Sequence, residues 1–289
     1  MNRAACIASL GTTLTPEVIT NIRALFHSEQ SALMSLMSPV ASDIAYGPLP
    51  RQQLDLYAPD NAQPMPVLLF VHGGGFVQGD KGGATQWPNA HIGRWAARNG
   101  MIGAVMNYRL VPDAAWPSGG EDVAAAVGWL RANIAHYGGD PARIILMGTS
   151  AGAVHLGTWL MHAQTSKKLE GVNGIILLSG LYGYTPLDER DTPYYGAQAD
   201  YTSRMPCAAI EHTQLPLFIA RAEYDPPRFQ TEFDAMVADR TRHPILPTTK
   251  FVAAGHNHYS IALHIGTGEI DGDHALSDAL RGFIAPLVR

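Results

Sequence analysis

An open, mostly parallel α/β sheet with helices on both faces is the fold that the 289-residue sequence predicts, and three observations carry it. Six short apolar runs recur: VLLFVHGGG (67–75), IGAVMNY (102–108), RIILMGTS (143–150), GIILLSG (174–180), LPLFIARAEYD (215–225) and TKFVAAG (249–255). Apolar on both sides rather than alternating, they read as parallel strands sandwiched between helical layers. Helix-like stretches separate them, which is the βαβ alternation of such a sheet. Finally, His72, Ser150, Asp225, His256 and His258 fall at or just after the ends of four of these runs. Ligands bind outside the carboxyl ends of strands in open α/β sheets, so four separate segments converge on one functional edge.

Taken in order, the chain opens with MNRAACIASLGTTL, whose single Arg and weakly apolar stretch are too little for a secretory signal. Thr15-Pro16-Glu17 before VITNIRALF marks a helix start: a capping hydroxyl, proline at the first helical position and an acid in the first turn. Residues 1–40 are expected to be helical and to lie over the rest of the fold as a cap segment. DIAYGPLPRQQLDLYAP gives two alternating segments around Gly47-Pro48, an antiparallel pair at a sheet edge. Helices are expected over 89–100, 121–139, 152–164 and 228–240, and the chain closes with another over 273–288. There is no internal repeat, low-complexity tract or long linker, so 1–289 reads as a single domain.

Composition narrows the function classes. The chain is 46% hydrophobic and 16% charged, which fits a globular protein. A net charge of -5 without a Lys/Arg cluster argues against nucleic acid as a partner. No apolar run approaches the roughly 20 residues of a membrane span. Cys6 and Cys207 have neither C-x-x-C nor Cys/His spacing, so neither a disulfide framework nor a zinc site is expected, and a cytoplasmic location fits best. Both a monomer and a homo-oligomer are compatible with the sequence.

The segment ILMGTSAGAV places Ser150 in a G-x-S-x-G turn directly after an apolar strand. Serine is a poor nucleophile until a base takes its proton and a third group orients that base. The order Ser150, Asp225, His258 is the one in which a strand-to-helix elbow is followed by its acid and its base. Attack on an acyl carbonyl creates an oxyanion, and HGGGF (72–76) offers the backbone N–H groups of Gly73 and Gly74 for it, with Ala151 N–H as a third donor. GHNHYS contains both His256 and His258, and AEYDPP both Glu223 and Asp225, so the residues alone leave each pair open.

Five segments, VHGGGFVQGDK, NYRLVPDAAWPSGGEDVAAAVGWL, YGGDPARIILMGTSAGA, AEYDPP and AGHNHYS, together resemble the α/β hydrolases of the hormone-sensitive-lipase type, in the bacterial carboxylesterase and aryl-formamidase-like branch. The resemblance spans roughly residues 66 to 260; the first 40 residues match nothing as specifically. It implies the α/β-hydrolase fold, Ser150 as nucleophile, Asp225 as the acid before proline and His258 as the base before an aromatic residue. It further implies Gly73, Gly74 and Ala151 as oxyanion donors, His72 as a brace for the glycine loop, and no metal or organic cofactor. Tyr108, Arg109, Leu110 and Asp122 fall in the corresponding YRL…D segment and are expected to be structural supports.

The expected activity is hydrolysis of carboxylic esters with short to medium acyl chains, since no large insertion provides a deep lipid-binding lid. Phe76, Trp87, Leu181 and Tyr182 border the site in sequence and are the candidate substrate-binding residues. SGLYGYTPL and YYGAQADY resemble segments of the aryl-formamidase branch, so cleavage of an N-formylkynurenine-type amide is a second reading. A non-catalytic small-molecule-binding protein on the same fold is the third, and retention of serine, acid and histidine argues against it. His256-x-His258 also reads as a metal pair, because alternate residues of an extended segment share a face, but no third ligand stands at a recognisable spacing. DGDH (271–274) lacks the rest of a calcium-loop pattern and is expected to be a helix cap.

Overall fold

The structure, a computed structural model, describes residues 2–59, 64–163, 169–243 and 247–289. Eight strands form one sheet: β1 (Ala41–Ala45), β2 (Gln53–Tyr57), β3 (Met65–Val71), β4 (Ile102–Met106), β5 (Gly139–Thr149), β6 (Val172–Leu178), β7 (Leu217–Tyr224) and β8 (Thr248–Asn257). Their spatial order is β1-β2-β4-β3-β5-β6-β7-β8. β1 pairs with β2 antiparallel, as expected around Gly47-Pro48; β2 is also antiparallel to β4, and every later pairing is parallel.

Five of the six apolar runs are strands with both faces covered; the sixth, β8, lies at the sheet edge and leaves Thr248, Thr249, Lys250, Val252 and Ala254 exposed, contrary to expectation, because an edge strand has a neighbour on one side alone. In β3, Val67, Leu69 and Val71 join one core with α4 (Ser118–Asn133) and α5 (Ala151–His162). Leu68 and Phe70 of the same strand face the other core, with α3 (Ala90–Arg98) and the C-terminal helix Ala275–Ile284. Alternation along the pleat thus serves two apolar layers, and burial of each such side chain contributes about 1.5–3 kcal/mol. The expected helix over 152–164 runs through α5 to His162; Gln164 lies outside the described residues.

The N-terminal region is two helices, α1 (Arg3–Leu10) and α2 (Pro16–Leu36). Thr15 caps α2 by accepting from Val18 N at 3.3 Å, with Pro16 at the first position as expected. Ile7, Val18, Ile22 and Phe26 pack with Trp87 and Leu263, so these helices lie against the segment that follows β8. Between β6 and β7 the chain forms short helices, Thr192–Tyr195, Gln198–Arg204 and Cys207–His212. Their few turns carry too little periodicity to be predicted, and tertiary contacts hold them: Tyr194, Tyr195, Tyr201 and Met205 are all buried in one aromatic cluster.

Candidate active site

Ser150 stands between β5 and α5 with φ 52° and ψ -120°, a left-handed backbone that costs a non-glycine residue of order 1–3 kcal/mol. Neighbouring contacts impose it. A Cβ on Gly152 would collide with the Val71 carbonyl, so α5 starts hard against the end of β3 and the chain must turn sharply to enter it. The turn lifts the Ser150 hydroxyl off the sheet, while Ser150 N remains bonded to Leu178 O at 2.8 Å.

β7 and β8 bring the other two side chains to this hydroxyl. His258 Nε2 lies 3.0 Å from Ser150 Oγ, and His258 Nδ1 lies 2.7 Å from Asp225 Oδ1. The carboxylate can only accept, so Nδ1 carries the proton and Nε2 presents its lone pair to the serine O–H. Asp225 is wholly buried, and its Oδ2 accepts from Ser179 Oγ at 2.6 Å and from Ala222 N at 2.8 Å. These donors keep a buried charge satisfied and fix its direction. The competing acid, Glu223, instead accepts from Gly255 N at the surface, at 2.7 Å.

The glycine loop runs alongside. A Cβ on Gly73 would sit 3.2 Å from the Ser150 Cβ, and Gly74 adopts φ 140°, where a Cβ would strike the Gln78 carbonyl. Ala151 is the first residue of α5, where a helix leaves its N–H groups without intrahelical partners. His72 is buried, bonds through Nδ1 to Gly73 O at 2.7 Å and stacks on Tyr108 with ring centroids 4.4 Å apart. Burial lowers its pKa to about 4, so it is neutral at pH 7 and suits a bracing role. Tyr108 Oη donates to His72 O at 3.0 Å, and Arg109 binds Asp122 through Nε at 2.9 Å, which are support contacts.

Of the four expected substrate-binding residues, Phe76 and Leu181 share one cluster with Ala151 and Val154. The other two pack elsewhere. Trp87 is buried among the N-terminal helices and donates to His27 Nδ1 at 3.1 Å, and Tyr182 belongs to the main core beneath the sheet. Sequence position put both near the site, but Tyr182 is drawn into the main core and Trp87 is held by the N-terminal helices and by its bond to His27.

Three contributors were not singled out beforehand. Ser179, at the end of the β6 run, holds Asp225. Phe229 packs on the His258 ring with centroids 4.3 Å apart. Glu232, fully buried, accepts from the N–H groups of Tyr182, Gly183, Tyr184 and Thr185 and so fixes the turn that carries Leu181. A carboxylate in the middle of a helix pattern gives no sequence signal for such a task.

His256 points away from Ser150. Its Nε2 donates to Asp273 Oδ2 at 2.7 Å, its Nδ1 meets Ser260 Oγ at 3.0 Å, and its ring stacks on His264 at 3.7 Å. The DGDH segment does lead into the helix at Ala275, but its acids turn back: Asp271 reaches Arg3 and Asp273 reaches His256.

Residues 54–178 match the family model described as BD-FAE. Over 135 residues the chain is 39% identical to a probable isoprenylcysteine alpha-carbonyl methylesterase of Oryza sativa subsp. japonica, covering 46% of this chain and 31% of that protein. It is 34% identical over 170 residues to Esterase LipC of Mycobacterium tuberculosis, covering 56% and 41%. The chain thus spans less than half the length of these relatives. Among solved structures it superposes on a thermostable esterase from Pseudomonas putida ECU1011 with a TM-score of 0.70, at 19% identity, over 99% of this chain and 97% of that one. Esterase B from Lactobacillus rhamnosis gives 0.70 at 19% identity, over 94% and 96%. The resemblance read from the motifs therefore holds: the chain has the α/β-hydrolase fold of these esterases, and its segment 54–178 carries the BD-FAE match.

Proposed function

We propose that the protein is a serine carboxylesterase that acts through an acyl-enzyme on Ser150. The observation that carries this reading is the continuous chain of short contacts from Asp225 through His258 to Ser150, at 2.7 and 3.0 Å, on a turn beside the glycine loop. The relatives, a probable methylesterase and an esterase, support carboxylic esters as the substrate class.

In this reading His258 Nε2 takes the Ser150 proton as Oγ attacks the ester carbonyl, and Asp225 stabilises the imidazolium that results. The N–H groups of Gly73, Gly74 and Ala151 receive the negative charge on the carbonyl oxygen; one such donor is typically worth about 3 kcal/mol in the transition state. Collapse expels the alkoxide, which takes the proton from His258. Water, deprotonated by the same histidine, then attacks the acyl-serine, and the carboxylic acid leaves as His258 returns the proton to Ser150.

Phe76, Leu181 and Phe229 supply an apolar wall for a short to medium acyl chain. Leu14, between the two N-terminal helices, packs on the same cluster, which supports residues 1–40 acting as a cap within one 1–289 domain. No helix among the described residues is long and apolar enough to cross a membrane. With Cys6 and Cys207 both free, we take a reducing cytoplasm as the compartment.

The deciding experiment is turnover of p-nitrophenyl esters of increasing chain length beside N-formylkynurenine, with wild type and Ser150→Ala in parallel. Serine-dependent ester turnover greatest at short chains is expected. Preference for the formamide would move the activity to amide hydrolysis, and no serine-dependent turnover on either would favour a binding protein.

A further inference from the structure

Outside the active site, Glu211, His212 and His243 bring three donor groups together. One donor atom from each lies within 4.8 Å of the other two. The carboxylate reaches both rings: His243 Nε2 is 3.3 Å from Glu211 Oε1, and His212 Nε2 is 3.9 Å from Glu211 Oε2. Neither separation is that of a strong ion pair, whose N–H···O length is about 2.7–2.9 Å. The two imidazoles meet edge to face, at 73° with centroids 5.3 Å apart, so their nitrogens approach one place from different directions.

These are close to the spacings of ligands on one tetrahedral ion. With zinc–nitrogen and zinc–oxygen bonds of about 2.0–2.2 Å, two donors stand roughly 3.3–3.6 Å apart, and two imidazoles bound through Nε2 have centroids roughly 5 Å apart. We propose that His212 Nε2, His243 Nε2 and the Glu211 carboxylate bind a divalent transition-metal ion, with zinc the best match to two imidazoles and one carboxylate and water as the fourth ligand. Both rings bind as neutral imidazoles with the proton on Nδ1. The side chains of His212 and His243 are 62% and 39% exposed, which gives the ion and its water access. His212 closes the remaining gap by a small torsional shift.

The fold holds the three positions together without the ion. Glu211 and His212 end the helix Cys207–His212, and His243 follows the helix Pro227–Thr241. Arg240, only 2% exposed, fastens one helix end to the other: its Nη1 donates to the carbonyls of Ile210, Glu211 and Thr213 at 3.3, 2.9 and 2.8 Å. The 15-residue helix Pro227–Thr241 turns its carbonyl end toward the cluster, and that end favours a cation. Arg242 does not fill the place. It pairs with Asp239, stands 3.8 Å from Glu211 Oε1, beyond hydrogen-bonding reach, and its side chain is 63% exposed and free to turn to water. Arg240 Nε also donates to Thr248 Oγ1 at 2.9 Å, which sets the cluster beside the start of β8. Ser150 follows the end of β5, at the opposite edge of the parallel sheet, so the ion ties two helix ends and takes no part in ester hydrolysis.

The test uses untagged full-length protein stripped with EDTA, then titrated with Zn²⁺ by calorimetry and followed by thermal unfolding. One equivalent is expected to bind and, at a hundredfold excess over Kd, to raise Tm by about 5 °C. His212→Ala, His243→Ala and Glu211→Gln are each expected to weaken binding at least tenfold. His136→Ala, at an exposed histidine outside the cluster, is expected to leave it unchanged. Absence of one-to-one binding overturns the proposal, as does binding that survives His212→Ala or His243→Ala or disappears in His136→Ala. If Glu211→Gln does not fold, the two substitutions at the exposed histidines decide.

Discussion

Two Ser–His–Asp arrangements stand side by side at the end of β8, and their distances are nearly the same. His258 is 2.7 Å from Asp225 and 3.0 Å from Ser150; His256 is 2.7 Å from Asp273 and 3.0 Å from Ser260. The difference lies in the serines. Ser150 is partly exposed on a strained turn beside the glycine loop, whereas Ser260 is wholly buried and its Oγ already accepts from Asn257 N at 2.9 Å. Contact distances alone do not make a nucleophile. Access to a carbonyl, and donors placed for the charge that develops there, distinguish the two.

The largest expected effect breaks the first arrangement at its nucleophile. Ser150→Ala is expected to lower kcat for ester hydrolysis by about four orders of magnitude or more, measured on a short-chain p-nitrophenyl ester. His258→Ala should match it, while His256→Ala should cost less than about tenfold in the same assay. Equal losses at the two histidines would erase the contrast between the two arrangements.

A smaller change sharpens the same contrast. Ser179→Ala removes one charge-assisted hydrogen bond from Asp225, and kcat is expected to fall by roughly tenfold, the equivalent of about 1.4 kcal/mol. No change in the rate would mean that Ala222 N and His258 hold Asp225 without help.

Four buried imidazoles outside the first arrangement set the pH dependence of stability. Burial lowers His72 and His91 to about 4, and His155 and His264 to about 3. Each ring is kept neutral in the fold but protonates freely in the unfolded chain below about pH 6.5. The unfolded state then binds more protons, so stability is intact above that pH and is lost as the pH falls from about 6.5 toward 4 for His72 and His91 and toward 3 for His155 and His264. Each group contributes a slope of up to about 1.4 kcal/mol per pH unit. Urea midpoints at pH 7.5, 6 and 5 should therefore decrease in that order; a flat profile would show that these rings do not titrate on unfolding.

Much of the sheet was legible from the pattern of apolar runs. Strands buried on both faces are apolar along their length, so β3 to β7 stood out, and the antiparallel edge followed from alternation around Gly47-Pro48. The short helices from Thr192 to His212 did not, because four to seven residues hold too little pattern to outweigh local ambiguity. The same limit applied to Trp87 and Tyr182, whose neighbours in sequence border the site while their rings pack away from it.

By itself the sequence determined the kinds of residue at the strand ends: a serine in a G-x-S-x-G turn, an acid before proline, two histidines and a run of glycines. It did so because strand periodicity and turn chemistry are local, and strand ends in such a sheet meet at one edge. Tertiary structure alone decided which histidine faces which serine. Side chains two residues apart at the end of β8 are sent in opposite directions by partners 33 and 17 positions away, Asp225 for His258 and Asp273 for His256. Pairing over such separations depends on how loops and helices close around the sheet, and strand periodicity does not encode it.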